Sequence, residues 1–125
     1  PIYRWFLDGT LTSEKIYKEA EKGDKLALKI VAEVNRYNVA GFENVINVYD
    51  PEVITIGGAI ALKNRRDLVL DPIRKGVEES KGVVTAKPVI ELAPLGEDIV
   101  LIGAIALAIH TPQNLLSMLK YLEAI

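Results

Sequence analysis

A short β-type segment that ends in two adjacent glycines, "DPEVITIGGAI" (residues 50–60), is the feature that most constrains the fold of this chain. Its core, Val53 to Ile56, is β-branched throughout and bounded by proline and glycine, which predicts a buried parallel strand. Ligands of α/β proteins bind in the crevice outside the carboxyl ends of such strands, and glycine lets a ligand approach the main chain closely. Gly57 and Gly58 are therefore a candidate ligand site, and the alternative is a tight turn from strand to helix.

The glycine pair does not belong to either of the common phosphate-binding motifs. The sequence that contains it, "GGAIALKN", lacks the spacing of a P-loop and the G-x-G-x-x-G fingerprint of dinucleotide sites. If these glycines contact a ligand, they do so as main chain and not through reactive side chains.

Helical periodicity dominates the residues before the strand. A capped short helix is predicted from Thr12 to Gly23, and Asp24 caps a long helix over Lys25 to Asp50 that carries two apolar stripes. Gly41 weakens the long helix by roughly 1 kcal/mol relative to alanine but lets another backbone come close. So broad an apolar surface predicts burial on more than one side.

Three more helices are predicted after the strand. The segment 67–80 is amphipathic, with Val69, Ile73 and Val77 at helical spacing, and a last helix is predicted from Pro112 onward. Between them, after Asp98 as N-cap, Ile99 to Ile109 contains no polar side chain, but its length falls well short of the roughly 20 residues needed to cross a bilayer. We expect that helix to be buried in protein. We interpret His110 as a residue that caps the carboxyl end of this helix and not as a metal ligand.

The number of strands is too small for a complete sheet. Besides Val53 to Ile56, only "PVIELAPL" (residues 88–95) is a strand candidate, and an open parallel sheet of two strands is marginal. Either a third strand lies in "IYRWFL" (residues 2–7), or the missing strands belong to sequence outside this chain. The sequence therefore predicts a piece of an α/β domain, helix-rich with two or three strands.

Composition excludes several classes of function. The 125 residues suffice for one domain, and a formal net charge of −2 offers no basic surface for nucleic acid. The chain contains no cysteine and a single histidine, so thiolate zinc sites are excluded and the histidine cannot build a metal site unaided. No apolar signal region opens the chain. We therefore expect a cytoplasmic protein that binds neither nucleic acid nor membrane.

Two long segments resemble the carboxyl-terminal part of the ROK family, which is named for repressors, open reading frames and kinases. They are "AEKGDKLALKIVAEVNRYNVAGFENVINVYDPEVITIGGAI" (residues 20–60) and "LAPLGEDIVLIGAIALA" (residues 92–108), with the helix "LDPIRKGV" (residues 70–77) between them. Members similar to this chain are ATP-dependent sugar kinases such as glucokinases, built on the two-domain actin-like ATPase (ribonuclease H-like) fold. The resemblance implies that residues 1–125 are the carboxyl-terminal portion of such a kinase and that its amino-terminal domain is absent.

The resemblance also implies which site residues belong to this chain. The family's phosphate loop, catalytic aspartate, sugar-binding segment and cysteine-rich zinc motif all lie upstream of the matched region, so no catalytic residue and no metal ligand is assigned. Gly57, Gly58 and Ala59 are expected beside the adenosine part of ATP. ATP with magnesium and a small sugar belong to the complete kinase, and the chain alone is expected to bind no cofactor.

Three functions follow as alternatives from the resemblance. The chain is a fragment or subunit of a hexose kinase, part of a sugar-responsive repressor without its DNA-binding part, or a non-catalytic interaction module of the same fold. In each case an incomplete sheet leaves the edge of a strand with backbone donors and acceptors that lack partners. We therefore expect the chain to bind the missing amino-terminal domain, or to self-associate through the sheet and the long helix.

Overall fold

The computed structural model describes residues 1–110, which form six α-helices, two strands and two 3-10 turns. The chain divides into one compact unit, Pro1–Ala93, and a second that begins at Pro94. In chain order the elements are α1 (Ile2–Leu7), α2 (Ser13–Glu21), α3 (Lys25–Tyr49), β1 (Val53–Ile56), α4 (Ala59–Lys63), a 3-10 turn (Arg66–Leu68), α5 (Leu70–Glu79), β2 (Val89–Leu92), a 3-10 turn (Gly96–Asp98) and α6 (Ile99–Ile109).

Two of the three predicted N-terminal caps, Thr12 and Asp24, are confirmed, whereas Asp98 precedes α6 but its side chain makes no capping hydrogen bond. The Thr12 hydroxyl accepts a hydrogen bond from the Lys15 amide at 3.3 Å, and the Asp24 carboxylate accepts one from the Ala27 amide at 2.9 Å. At its other end α3 stops at Asp50, which adopts the left-handed conformation (φ 46°) immediately before a proline. The capping signals in the sequence therefore fix where α2 and α3 begin and where α3 ends.

The core of the first unit lies where α2, α3 and α5 meet. Its most deeply buried side chains come from α3 (Ala27, Val31, Ile46) and α5 (Leu70, Ile73, Val77). At the centre of this contact a Cβ on Gly76 would overlap the side chain of Val39. The absence of a side chain at Gly76 therefore allows α5 to lie close against α3.

The sheet of the described residues consists of β1 and β2, paired in parallel with Val53 opposite Val89 and Ile54 opposite Ile90. Ile90 is buried and Ile54 packs against the core, so this face of the sheet is covered. On the opposite face Val53 and Val89 are 58% and 57% exposed. The parallel pairing agrees with prediction, but the expectation of a strand buried on both faces is wrong for residues 1–110, because within this range only one face of the sheet packs on helices.

Residues 2–7 form helix α1 and not a third strand. Ile2 is buried in the core while Tyr3 and Phe6 are exposed, a pattern that follows the helical and not the alternating period. Of the two explanations for the small number of strands, the hidden strand is therefore wrong.

The second unit contains α6, whose bounds agree with the predicted apolar helix. None of its residues is buried, and Val100 and Leu101 are 80% and 61% exposed, so the expectation of a buried helix is wrong for the described residues. An apolar run shows that a helix prefers an apolar environment, but it does not show which part of a protein supplies that environment. None of the helices in residues 1–110 combines the length and the hydropathy needed to cross a lipid bilayer. The helix predicted from Pro112 lies outside the described residues.

Two glycine-to-alanine substitutions should change stability in opposite directions. Gly76→Ala forces a methyl group onto Val39, and we expect the free energy of unfolding to fall by about 1–3 kcal/mol. Gly41→Ala lies in α3, where an added Cβ meets nothing within 4 Å, and we expect a gain of about 0.5–1 kcal/mol. Urea unfolding measures both changes, and Val39→Ala should restore stability to the Gly76→Ala variant. Equal effects of the two alanines would contradict the close α3–α5 contact.

Candidate functional site

The turn that follows β1 is the centre of the candidate site. Gly58 has φ +88° and ψ 160°, a conformation that residues with a side chain rarely adopt, and its carbonyl accepts a hydrogen bond from the Leu62 amide at 3.0 Å. Gly57 has no positive φ, and Ala59 is the first residue of α4. The chain thus reverses from strand to helix within two residues, and a Cβ added to Gly58 would meet nothing within 4 Å. The turn is both conformationally demanding and open to a ligand.

A side chain caps the carboxyl end of α4. The Asn64 amide donates to the Ile60 carbonyl at 2.7 Å, which satisfies one of the carbonyls that a helix end leaves free. On the strand side, the Ala93 amide donates to the Ile56 carbonyl at 2.8 Å and extends the parallel pairing to the last residue of β1. The glycine turn is therefore held between two ordered segments.

An apolar cavity of about 380 Å³ lies on the Gly57 side of the turn, between α2, α3 and the end of β1. We call it the apolar cavity. Most of its lining is aliphatic or aromatic, and three residues add polar side-chain groups, namely Ser13, Tyr17 and Asn38. No lining residue carries a charge. The cavity therefore suits an uncharged group and not a phosphate.

A second recess of about 460 Å³ lies on the Ala59 side of the turn, between α2 and α4, and we call it the polar cleft. Its charged residues are two acids, Glu14 and Glu21, and two bases, Lys18 and Lys63. The ammonium of Lys18 lies 2.6 Å from the Glu14 carboxylate. That hydrogen bond lowers the pKa of Glu14 and raises the pKa of Lys18. The formal charges of the cleft sum to zero, so its net electrostatic field does not attract a polyphosphate.

The structure brings together the three residues that the sequence singled out. Gly57, Gly58 and Ala59 occupy the turn at the carboxyl end of β1, where the pattern predicted a ligand site. The polar groups beside them, Ser13 and Tyr17, were missed. A signal for Tyr17 exists in the sequence, because it lies on the apolar side of the amphipathic helix α2 although its hydroxyl requires a hydrogen-bond partner.

Tyr17 should make the chain less stable at alkaline pH. Burial raises the pKa of Tyr17 above its ordinary value of 10.0, so the stability contributed by the neutral phenol is complete below that pH and is lost as the pH rises through the folded-state pKa. We expect Tyr17→Phe to lose less free energy of unfolding than the parent between about pH 9 and 11. Urea unfolding across this range tests it. Tyr49→Phe is the matched control, because Tyr49 is 75% exposed, and an identical pH profile for parent and Tyr17→Phe would contradict the burial of this phenol.

Comparison with known proteins identifies relatives of most of this chain. The model of the ROK family matches residues 8–111. A glucokinase of Pyrobaculum calidifontis is 37% identical over 108 residues, which are 86% of this chain and 36% of that protein. A glucokinase of Aeropyrum pernix is 29% identical over 115 residues, or 91% of this chain and 35% of that protein. The chain thus spans about a third of the length of the relatives it matches.

Comparison with solved structures points to the same group of proteins. A protein of Cytophaga hutchinsonii described as a sugar kinase superposes with a TM-score of 0.63 and 28% sequence identity. The match covers 80% of this chain and 33% of that one. The observed arrangement of helices around two parallel strands is therefore that of a partial α/β domain from a sugar-kinase fold.

Proposed function

Since this chain belongs to the ROK family, we propose that it is the carboxyl-terminal part of an ATP-dependent sugar kinase. The complete enzyme would transfer the γ-phosphoryl group of ATP to a hexose hydroxyl, as the glucokinase names of its relatives suggest. In this proposal the chain forms one wall of the nucleotide cleft and acts in the cytoplasm, where ATP is available.

The observation that carries the proposal is the open glycine turn at the carboxyl end of β1. A ligand can approach the main chain at Gly57 and Gly58, because both are exposed and an added Cβ at Gly58 would meet no atom. Crevices beyond the carboxyl ends of parallel strands are the usual ligand positions in α/β proteins. Gly57, Gly58 and Ala59 would therefore contact the nucleotide through their main chain.

Exposed apolar surface supports the view that the chain works together with another part of the protein. Val53 and Val89 are more than half exposed on one face of the sheet, and α6 has no buried residue. Exposed apolar surface of this kind marks a contact with a partner. The proposed partner is the amino-terminal domain of the kinase, with self-association as the alternative.

The proposed division of labour places the reaction itself outside this chain. Magnesium, bound to ATP, would neutralise the charge that develops on the phosphates. Within residues 1–110 no three acidic, histidine or cysteine side chains are grouped so as to hold a metal ion. In this proposal the part of the described residues in catalysis is to hold the nucleoside, while the remaining protein supplies the proton acceptor and the phosphate contacts.

The kinase is favoured over the other two functions by its relatives. The curated relatives compared above are both named glucokinase, and the solved structure is described as a sugar kinase. No feature of residues 1–110 favours a repressor or a purely structural module over these.

We expect the isolated chain to have no sugar kinase activity, because the phosphate loop and the proton acceptor implied by the family are not in its sequence. A coupled ADP-release assay with glucose, fructose and N-acetylmannosamine tests this. If turnover copurifies with the chain, the chain is catalytic by itself, and the proposal that it is a non-catalytic part of a larger enzyme is wrong.

A chimera should recover activity and locate the nucleotide contact. In this chimera the chain replaces the corresponding carboxyl-terminal third of the Pyrobaculum calidifontis glucokinase, and we expect it to phosphorylate glucose. Gly57→Val should raise the KM for ATP at least about tenfold and leave the KM for glucose within about twofold, because the side chain would occupy the path of the nucleotide at a position without positive φ.

The controls separate a nucleotide contact from backbone strain. Gly41→Val makes the same substitution at an exposed glycine that lines neither recess, and should change neither KM. Gly58→Val adds strain of about 1–3 kcal/mol at its positive φ and should lower the melting temperature. A chimera that is folded by circular dichroism but inactive, or equal effects of Gly57→Val on both substrates, would contradict the proposal.

A further inference from the structure

We propose that the groove between α3 and α5 is a separate ligand site, for a small, uncharged, mainly apolar molecule that carries an N–H or O–H donor. We call it the α3–α5 groove, and it is lined by one side of α3, including Val31 and Asn35, by Leu68 and by the first turns of α5. Its lining shares only Val31 with that of the apolar cavity and does not include the glycine turn. The inference therefore does not depend on the proposed function.

The size and lining of the α3–α5 groove suit a small apolar molecule. Its volume of about 590 Å³ falls in the range of roughly 300–1,000 Å³ that is usual for small-molecule sites. Most of the lining side chains are aliphatic, and three of the residues are small, namely Ala32, Ala40 and Gly76. Small residues leave space between the two helices that an apolar ligand can fill.

The charged residues of the α3–α5 groove already have partners within the chain. The pairs are Arg36 with Glu33 at 2.6 Å, Asp67 with Arg65 at 2.7 Å, and Glu43 with the Ser80 hydroxyl. These charges do not require a counter-charge from a ligand. An uncharged ligand is therefore favoured, because a charged one would lose its hydration without gaining a free partner.

The Asn35 side chain gives an independent indication that a donor binds in the α3–α5 groove. Asn35 is only 5% exposed, and its amide nitrogen donates to the Leu68 carbonyl at 2.8 Å. Its side-chain oxygen exposes less than 1 Å² and accepts no hydrogen bond from the residues that the structure describes. Buried polar groups almost always have a partner, and leaving an acceptor unpaired is destabilising. A ligand with an N–H or O–H group would supply the missing donor.

The exposed side chains of the α3–α5 groove allow a ligand to reach this oxygen. Leu28 is 39% exposed and the Arg36 side chain is 64% exposed. Exposed side chains change rotamer within picoseconds to nanoseconds, so a ligand can displace them. A ligand bonded to Asn35 would also restrain the turn before α5, because the same side chain holds the Leu68 carbonyl.

Indole and 1-methylindole are a matched pair of probes for the full chain. They share a flat apolar ring system, and only indole carries an N–H donor. In ligand-observed NMR titrations we expect indole to bind in a saturable manner and 1-methylindole to bind about three- to tenfold more weakly, because it cannot donate to Asn35. Equal Kd values for the two probes would overturn the proposal. We leave Asn35 itself unchanged, because losing its bond to Leu68 would affect folding as well as binding.

A substitution on the surface of α3 shows where indole binds. Ala40 lines the α3–α5 groove and is exposed, so Ala40→Leu fills the groove from outside the core. We expect this variant to weaken the Kd for indole at least about tenfold. Gly41→Leu is the control, because it places the same side chain on the next residue of the helix, which does not line the groove and where an added Cβ meets nothing within 4 Å. It should leave the Kd within about twofold of the parent value.

Sedimentation velocity separates a ligand site from a contact between two copies of the chain. If the parent chain dimerises and Ala40→Leu makes it monomeric, the α3–α5 groove is an interface between copies and the proposal is overturned. Absence of indole binding, or binding that Ala40→Leu leaves unchanged, also overturns it. Loss of indole binding in Ala40→Leu without a change in sedimentation supports it. Neither measurement involves sugar or nucleotide, so the chimera decides the proposed function independently.

Discussion

The close packing of α5 against α3 is the contact on which the rest of the first unit depends. Gly76 lies so near Val39 that no side chain fits between the helices. Because α3 leads through Asp50 into β1, and α5 leads through a loop into β2, the distance between the helices also aligns the two strands. The Asn47 side chain reinforces this alignment, since it donates to the Gly82 carbonyl at 2.7 Å and accepts from the Val84 amide at 3.1 Å.

The alignment of the strands in turn positions the glycine turn. Each strand residue from Val53 to Ile56 has a partner on β2, and the pairing continues at Ala93 beyond the last of them. The main chain at Gly57 therefore emerges from an ordered strand and not from a flexible loop. Tyr17 and Ala20 pack α2 into the same core, so both walls of the apolar cavity are attached to the framework that also holds the turn. Pockets with such rigid walls need little ordering when a ligand binds.

Local signals predicted the elements well and their surroundings poorly. Thr12, Asp24 and the proline after Asp50 act within a few residues of themselves, and the helix limits that they predict agree with the structure. Burial depends on residues distant in sequence, and the expectations for β1 and α6 failed because apolar composition does not reveal which surface covers it. The glycine turn was found from its position after a β-branched run, whereas the place of Tyr17 in the wall of the apolar cavity depends on how α2 packs on α3 and became visible only in the structure.

Charge explains why the proposed function is divided between this chain and the rest of the protein. The apolar cavity has no charged lining, and the polar cleft contains two acids and two bases that offset each other. Phosphoryl transfer requires concentrated positive charge at the phosphates, because negative charge is spread over their oxygens in the transition state. Neither recess provides that charge, and the apolar cavity suits an uncharged group. Under the proposed function, the described residues would therefore orient the nucleotide, and the chemical step would depend on groups that a second part of the protein brings to the glycine turn.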